Sequence, residues 1–394
     1  MSVRIFNIFN NIILKLKISF KRFPEVLFVS VMIVIVGIML NHEFNFTNEI
    51  IETFEKIMMI LCLSVSLSAY GKLLDENGKK IRVITDIVVL IILFILYLRI
   101  PSPINNQFMI RFTILLVSSI LVFTLINYYD NKNYSLYILK LISNFFITLL
   151  YSIILYLGII SMIFTVEKLF ELSIIKEVYF DVFIVIVGLF SITYFFAILP
   201  KSKNIIELIE YPFVLKKLLF FIIIPLLIIY TMILYLYFGR IIILKEFPIN
   251  LLGHLVLWYG FISVITLFFI NKVNQESEFI MKFYKIFPVV IMVPLFMLFL
   301  AIFKRISNYS ITPSRYFVII LGLWIFGCMV YIFFSKKFKS NFLVIGAICL
   351  LLISIYGPFS SFSLSKKFQE KRFISILEIN NMIDNGEIIK NNEI

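Results

Sequence analysis

Between Val26 and Gly357 the apolar residues of this chain follow neither a helical nor a strand period; they come in near-continuous runs of about twenty, one after another. A run such as "VLFVSVMIVIVGIML" (26–40) has no polar face to offer water. Lipid accepts such segments, provided each satisfies its own backbone N–H and C=O groups, and in a continuous apolar run the α-helix does that. Composition agrees: 61% of the 394 residues are hydrophobic and 15% are charged, against about 25% charged in an ordinary soluble domain.

Runs qualify as spans at 26–40, 56–71, 83–99, 111–129, 138–164, 181–199, 216–238, 251–270, 286–303, 314–334 and 341–357. The prediction is an all-α, polytopic membrane bundle of about eleven transmembrane helices. The second is the weakest, since Glu49, Glu52, Glu55 and Lys56 at its entry also suit an amphipathic segment in the interface. Three regions are expected: a basic cytoplasmic segment (1–25), the helical membrane domain (26–357) and a juxtamembrane tail (358–394).

Charge orients the chain. Arg4, Lys15, Lys17, Lys21 and Arg22 precede the first run, and "GKLLDENGKKIR" (71–82) follows the second. Cations concentrated there and in every second loop place the N-terminus in the cytoplasm. The first run has the length of a signal-peptide core, but "NHEFNF" follows it without a small-x-small cleavage site, so an uncleaved helix is expected. An odd number of spans then puts the tail outside, although Lys366, Lys367, Lys371, Arg372 and Lys390 run against the positive-inside bias. The net charge of +13 lies in short loops and forms no basic face with interleaved aromatics, so nucleic acid is not an expected partner.

Within the tail, Phe373, Ile376, Leu377, Asn380 and Ile383 keep a three-four spacing, and Gly386 is placed to end a helix. The spacing predicts a short C-terminal amphipathic helix over about 365–384, its apolar side against lipid or a protein partner.

Catalytic signatures are missing. There is no GxxxxGK[ST] phosphate loop, no HExxH zinc motif and no GxSxG nucleophile elbow. Cys62, Cys328 and Cys349 share no metal-ligand spacing and read as buried inert thiols. Asp86, Glu167 and Asp181 lie near span ends rather than in mid-bilayer, where a carboxylate would imply a transport task. No cofactor or metal is expected.

Two groups of polar residues remain. His254 and Trp258, four apart in "LLGHLVLWYGF", share a helix face, while Gly253 and Gly260 allow close approach of another helix; the pair reads as a ligand site or as interfacial belt residues. Asn144 and Tyr151, one heptad apart, suit interhelical hydrogen bonds. Pro225, Pro288 and Pro294 are expected to kink their helices.

The other group lies in "NYSITPSRYFVIILGLW" (308–324). Thr312 and Pro313 open a helix, yet Arg315 puts a cation in its first turn, where the helix dipole disfavours it by about 0.3–1 kcal/mol. Either its stem covers apolar surface while the guanidinium snorkels to lipid phosphate, or it faces inward and forks a carboxylate or a phosphorylated group. Thr312 and Pro313 fix the backbone there, and both orientations of the side chain stand on these residues alone; the inward one is the expectation once the family resemblance is added.

That stretch resembles the pattern Y-G-[IL]-T-x-x-R-[YV] followed by a helix ending in tryptophan, and "YGPFSSFSLSKKFQEKR" (356–372) resembles the segment after the last helix of the same group. The group is the uncharacterised bacterial membrane family catalogued as domain of unknown function 4153. Ser310 stands where the pattern has glycine. The resemblance implies a bacterial cytoplasmic membrane and no established activity, and makes Tyr309, Thr312, Arg315 and Tyr316 the first residues to test. The favoured role is non-enzymatic, in transport or the cell envelope, with a lipid or small molecule as ligand. Two rivals stand beside it: an enzyme acting on a lipid-linked substrate at the outer interface, and a sensor or assembly partner working through the tail helix.

Overall fold

The computed structural model describes residues 17, 19–42, 46–78, 81–125, 134–171, 173–200, 211–244, 252–271, 277–335, 338–380, 383–384 and 387–388. The helices are α1 (Pro24–His42), α2 (Asn48–Glu76), α3 (Arg82–Leu98), α4 (Asn106–Thr124), α5 (Tyr134–Leu169) and α6 (Lys176–Ala197). They continue as α7 (Leu215–Leu244), α8 (Leu252–Ile270), α9 (Glu278–Tyr309), α10 (Pro313–Phe334), α11 (Asn341–Ile355) and α12 (Ser361–Ile379). Among the described residues each predicted apolar run is helical over most of its length, and the fold is all-α apart from a two-residue ladder in which Ile383–Asp384 pairs antiparallel with Glu387–Ile388.

Among the described residues nine helices, α1, α2 and α4 to α10, are long and apolar enough to cross a membrane. The remaining two are shorter: α3 has 17 residues, the length of its predicted run, and α11 has 15, two fewer than its run, so at 1.5 Å per residue they reach about 25 and 23 Å, against about 30 Å of hydrocarbon. The doubtful second run is one continuous helix of 29 residues.

Helix surfaces explain why lipid is the solvent. Phe221, Leu236 and Ile243 point outward with 75–80% of their area exposed, and outward-facing Leu, Ile and Phe recur along nearly every long helix. Interior hydroxyls bond back to their own helix: Ser30 donates to the Val26 carbonyl at 2.9 Å and Ser263 to that of Tyr259 at 2.7 Å. Such i−4 bonds satisfy a hydroxyl where no water reaches it.

The chain divides into two compact units, Met1–Ile209 and Glu210–Ile394. In the first, Phe23, Val26, Ala69, Leu73, Phe123 and Phe196 form a buried cluster. At its edge the Arg22 side chain, 6% exposed, makes a two-pronged ion pair with Glu76, Nε to Oε1 at 2.9 Å and Nη2 to Oε2 at 2.7 Å. It also donates to the carbonyls of Leu199 and Pro200, just beyond the end of α6. One guanidinium thus ties the entry of α1 to the ends of α2 and α6. At the far end of α1, Asn41 and His42 both meet the Asp181 carboxylate, at 2.8 and 2.7 Å. Asn144 bonds across helices as expected, donating to the Ile198 carbonyl at 2.8 Å, while Tyr151 makes an edge-on ring contact with Tyr194.

In the second unit α8, α9 and α10 pack on one another around Val256, Leu267, Ile291, Leu295, Ile325 and Met329, all essentially inaccessible. Gly260 makes the predicted close approach: a Cβ there would lie 3.0 Å from Ile325. Gly253 does not, since nothing lies within 4 Å of where its Cβ would be. Pro288 and Pro294 leave α9 continuous, and Pro225 follows a widened π-type turn at Leu219–Ile223, which takes up the missing N–H locally. Of the three cysteines expected to be buried, Cys328 is, whereas Cys62, which lines a groove, and Cys349 are exposed.

The tail helix departs from prediction in extent. It runs Ser361–Ile379 rather than 365–384; Ser360 caps its start and Asn380 its end, and Gly386 lies outside the described residues. The apolar side does not face the bundle, for Phe373 is 63% exposed and Ile376 44%.

Candidate functional site

The two stretches that carry the family resemblance meet in the second unit. Helix α9 ends at Tyr309, and the chain turns through Ser310, which has φ 60° and ψ 180°. Glycine occupies that backbone region almost alone, and a serine there costs about 1–3 kcal/mol. The glycine of the family pattern is therefore a conformational requirement. Ser310 recovers part of the cost, because its Oγ donates to the Phe368 carbonyl on α12 at 3.0 Å.

Thr312 Oγ1 then accepts the Arg315 N–H at 3.5 Å, a long cap, and Pro313 fills the first position of α10. The Arg315 Nη1 group donates to the carbonyls of Tyr309, at 3.0 Å, and Ser310, at 2.6 Å. These carbonyls close the C-terminus of α9. A cation that is unfavourable at the start of α10 is thus favourable at the end of α9, and the two dipole effects of about 0.3–1 kcal/mol roughly cancel. Two charge-assisted hydrogen bonds, each contributing about 1.5–3 kcal/mol, decide its place. Neither sequence reading of Arg315 describes this arrangement: the guanidinium does turn to protein, but to orphan carbonyls of a neighbouring helix end.

Tail helix α12 docks on the same turn. After Gly357, whose φ of 84° a glycine adopts freely, the Phe359 carbonyl accepts the buried Tyr316 hydroxyl at 2.6 Å. Ser365 Oγ donates to the Ile311 carbonyl at 3.2 Å, and Gln369 Nε2 donates to the same oxygen at 2.9 Å and more weakly to that of Tyr309 at 3.4 Å. The Tyr309 ring lies 5.6 Å from the guanidinium of Arg315 and 5.6 Å from that of Arg372.

Ser361, Ser365, Gln369 and Arg372, spaced by four, four and three, form one face of α12, and that polar stripe faces the turn. The sequence held the signal, but apolar spacing drew attention to the other side of the helix. Tyr309, Thr312, Arg315 and Tyr316 are gathered here. His254 and Trp258 are not: both are exposed on α8, Trp258 at 64%. Trp258 touches Phe261, which in turn contacts Trp324 of α10.

Elsewhere two grooves of about 770 and 650 Å³ open in the first unit. Residues such as Phe28, Ile60 and Leu93 line one, and Ile33, Met58 and Phe183 line the other, so both are mainly apolar. Among the described residues no group of three or more His, Cys, Asp or Glu side chains is placed to hold a metal ion.

Stacked apolar helices with lipid-like surfaces and a tail helix clamped to a tight inter-helix turn define a class, the all-helical protein of multi-pass membrane architecture. The chain belongs to the family described as domain of unknown function (DUF4153), whose model matches residues 21–381. A search of curated proteins gives no match, and a search of solved structures gives none either.

Proposed function

We propose that this chain is a non-enzymatic component of the bacterial cell envelope, seated in the cytoplasmic membrane with its N-terminus inside, that acts as an assembly partner through its tail helix. The observation that carries the reading is the division of α12 at Arg372. The first half is bonded to the Tyr309–Tyr316 turn, and the second half presents Phe373, Ile374, Ile376 and Ile379 with 44–79% of their area exposed. Contiguous exposed apolar residues on a helix held firmly by its base suit a protein partner. The enzyme reading loses support because Tyr316, beside Arg315, gives its hydroxyl to the Phe359 backbone carbonyl. Transport loses support because the two grooves are mainly apolar.

Photo-reactive residues at Phe373 and Ile379, activated in cells of the native host, test the reading. Discrete protein adducts at both positions, with none at exposed Lys282 of α9, are the expected result; adducts to lipid alone would refute it. In the same cells a cysteine at Asn77 should resist a membrane-impermeant maleimide, and its labelling would reverse the orientation.

A further inference from the structure

We propose that Arg315 and Arg372 form a binding site for a phosphate group, supplied by an anionic lipid headgroup, at the junction of α9, α10 and α12. Both guanidiniums lie 5.6 Å from the centre of the Tyr309 ring, and Arg372 is close enough to Arg315 to repel it. Among the described residues no carboxylate forms an ion pair with Arg315 or Arg372. Two like charges gathered in this way, Arg315 and Arg372, raise the energy of the docked tail unless an anion joins them.

The donors for that anion are in place. Among the described residues Arg315 uses only Nη1 on carbonyls, leaving Nε and Nη2, and the Arg372 guanidinium meets only the Tyr309 ring. Planar guanidinium forks match phosphate oxygens, and an aromatic face orients a guanidinium without consuming its donors. Position selects the source. Tyr309 ends a 32-residue apolar helix and Pro313 begins another of 22 residues, so the site lies at the depth where lipid phosphates sit. The site lies apart from the distal half of α12 assigned to a protein partner, so either assignment can fail alone.

Arg315→Lys separates the two uses of that residue. An ammonium still bridges the two carbonyls but cannot fork a phosphate. The full chain, purified in a neutral detergent, would be titrated with phosphatidylglycerol, phosphatidylcholine or inorganic phosphate, with binding read by native mass spectrometry and folding by thermal unfolding. Phosphatidylglycerol should be retained in preference to phosphatidylcholine. Arg372→Gln and Arg315→Lys should each weaken it about tenfold, the loss of one good charge-assisted contact, with little change in unfolding temperature. Inorganic phosphate binding as tightly, with the same sensitivity to both variants, would keep the site and overturn the lipid as its source. Equal retention of phosphatidylglycerol by the wild type and both folded variants would overturn the site.

Discussion

Replacing Arg22 by alanine is expected to destabilise the first unit by about 3 kcal/mol, toward the lower end of the range for breaking a buried ion pair. The side chain is 6% exposed, and its removal would orphan a Glu76 carboxylate that is itself 21% exposed. The carbonyls of Leu199 and Pro200 would lose their donors in the same step. Partial access of water to Glu76 is what keeps the effect from the upper end. Arg82 supplies the control: its contacts with Glu25 and Asp86 involve side chains about a third exposed, so Arg82→Ala should cost less than about 1 kcal/mol. Unfolding in mixed micelles with rising denaturing detergent measures both. Equal effects would show that the Arg22 pair is as well solvated as its neighbour.

Arg315→Ala is expected to destabilise the second unit by about 2–4 kcal/mol, because two charge-assisted hydrogen bonds at the end of α9 disappear together. Release of the tail should accompany the loss, since the Tyr309 and Ile311 carbonyls that receive Gln369 belong to the turn that Arg315 organises. Arg315→Lys should keep most of the stability. Amide hydrogen exchange across 361–372 reads the tail directly: faster exchange in the alanine variant, near-native exchange in the lysine variant. Unchanged protection in Arg315→Ala would mean that the turn holds its shape without the cation.

Most of the fold is legible because lipid leaves a chain few choices. An apolar run that must satisfy its own backbone becomes a helix, so segment positions could be read from "VLFVSVMIVIVGIML" or "LVLWYGFISVITLFFI" without tertiary information. Asn144, a lone amide amid apolar neighbours, announced an interhelical bond in the same way. Long-range polar pairing was not legible. Arg22 looked like one of five orienting cations, and nothing local shows that its partners lie at 76, 199 and 200. The turn residues Tyr309, Thr312, Arg315 and Tyr316 stood out as a group, but Tyr316 and its acceptor Phe359 are separated by helices α10 and α11. The tail misled because its apolar spacing is the stronger pattern, whereas a docking site made of backbone carbonyls selects the weaker stripe of Ser361, Ser365, Gln369 and Arg372.

The central claim, that the turn at 309–316 holds the first half of α12, can be tested by a single cross-linking experiment. In a chain with Cys62, Cys328 and Cys349 replaced by alanine, cysteines at Ile311 and Ser365 are treated in native membranes with a short bifunctional thiol reagent. The Ser365 hydroxyl lies 3.2 Å from the Ile311 carbonyl, so this pair should cross-link rapidly. Ile379 lies fourteen residues further along the helix, about 21 Å at the α-helical rise, so the pair 311 and 379 should not. Absence of a product from 311 and 365, or equal yields from both pairs, would contradict the docked tail and the role assigned to it.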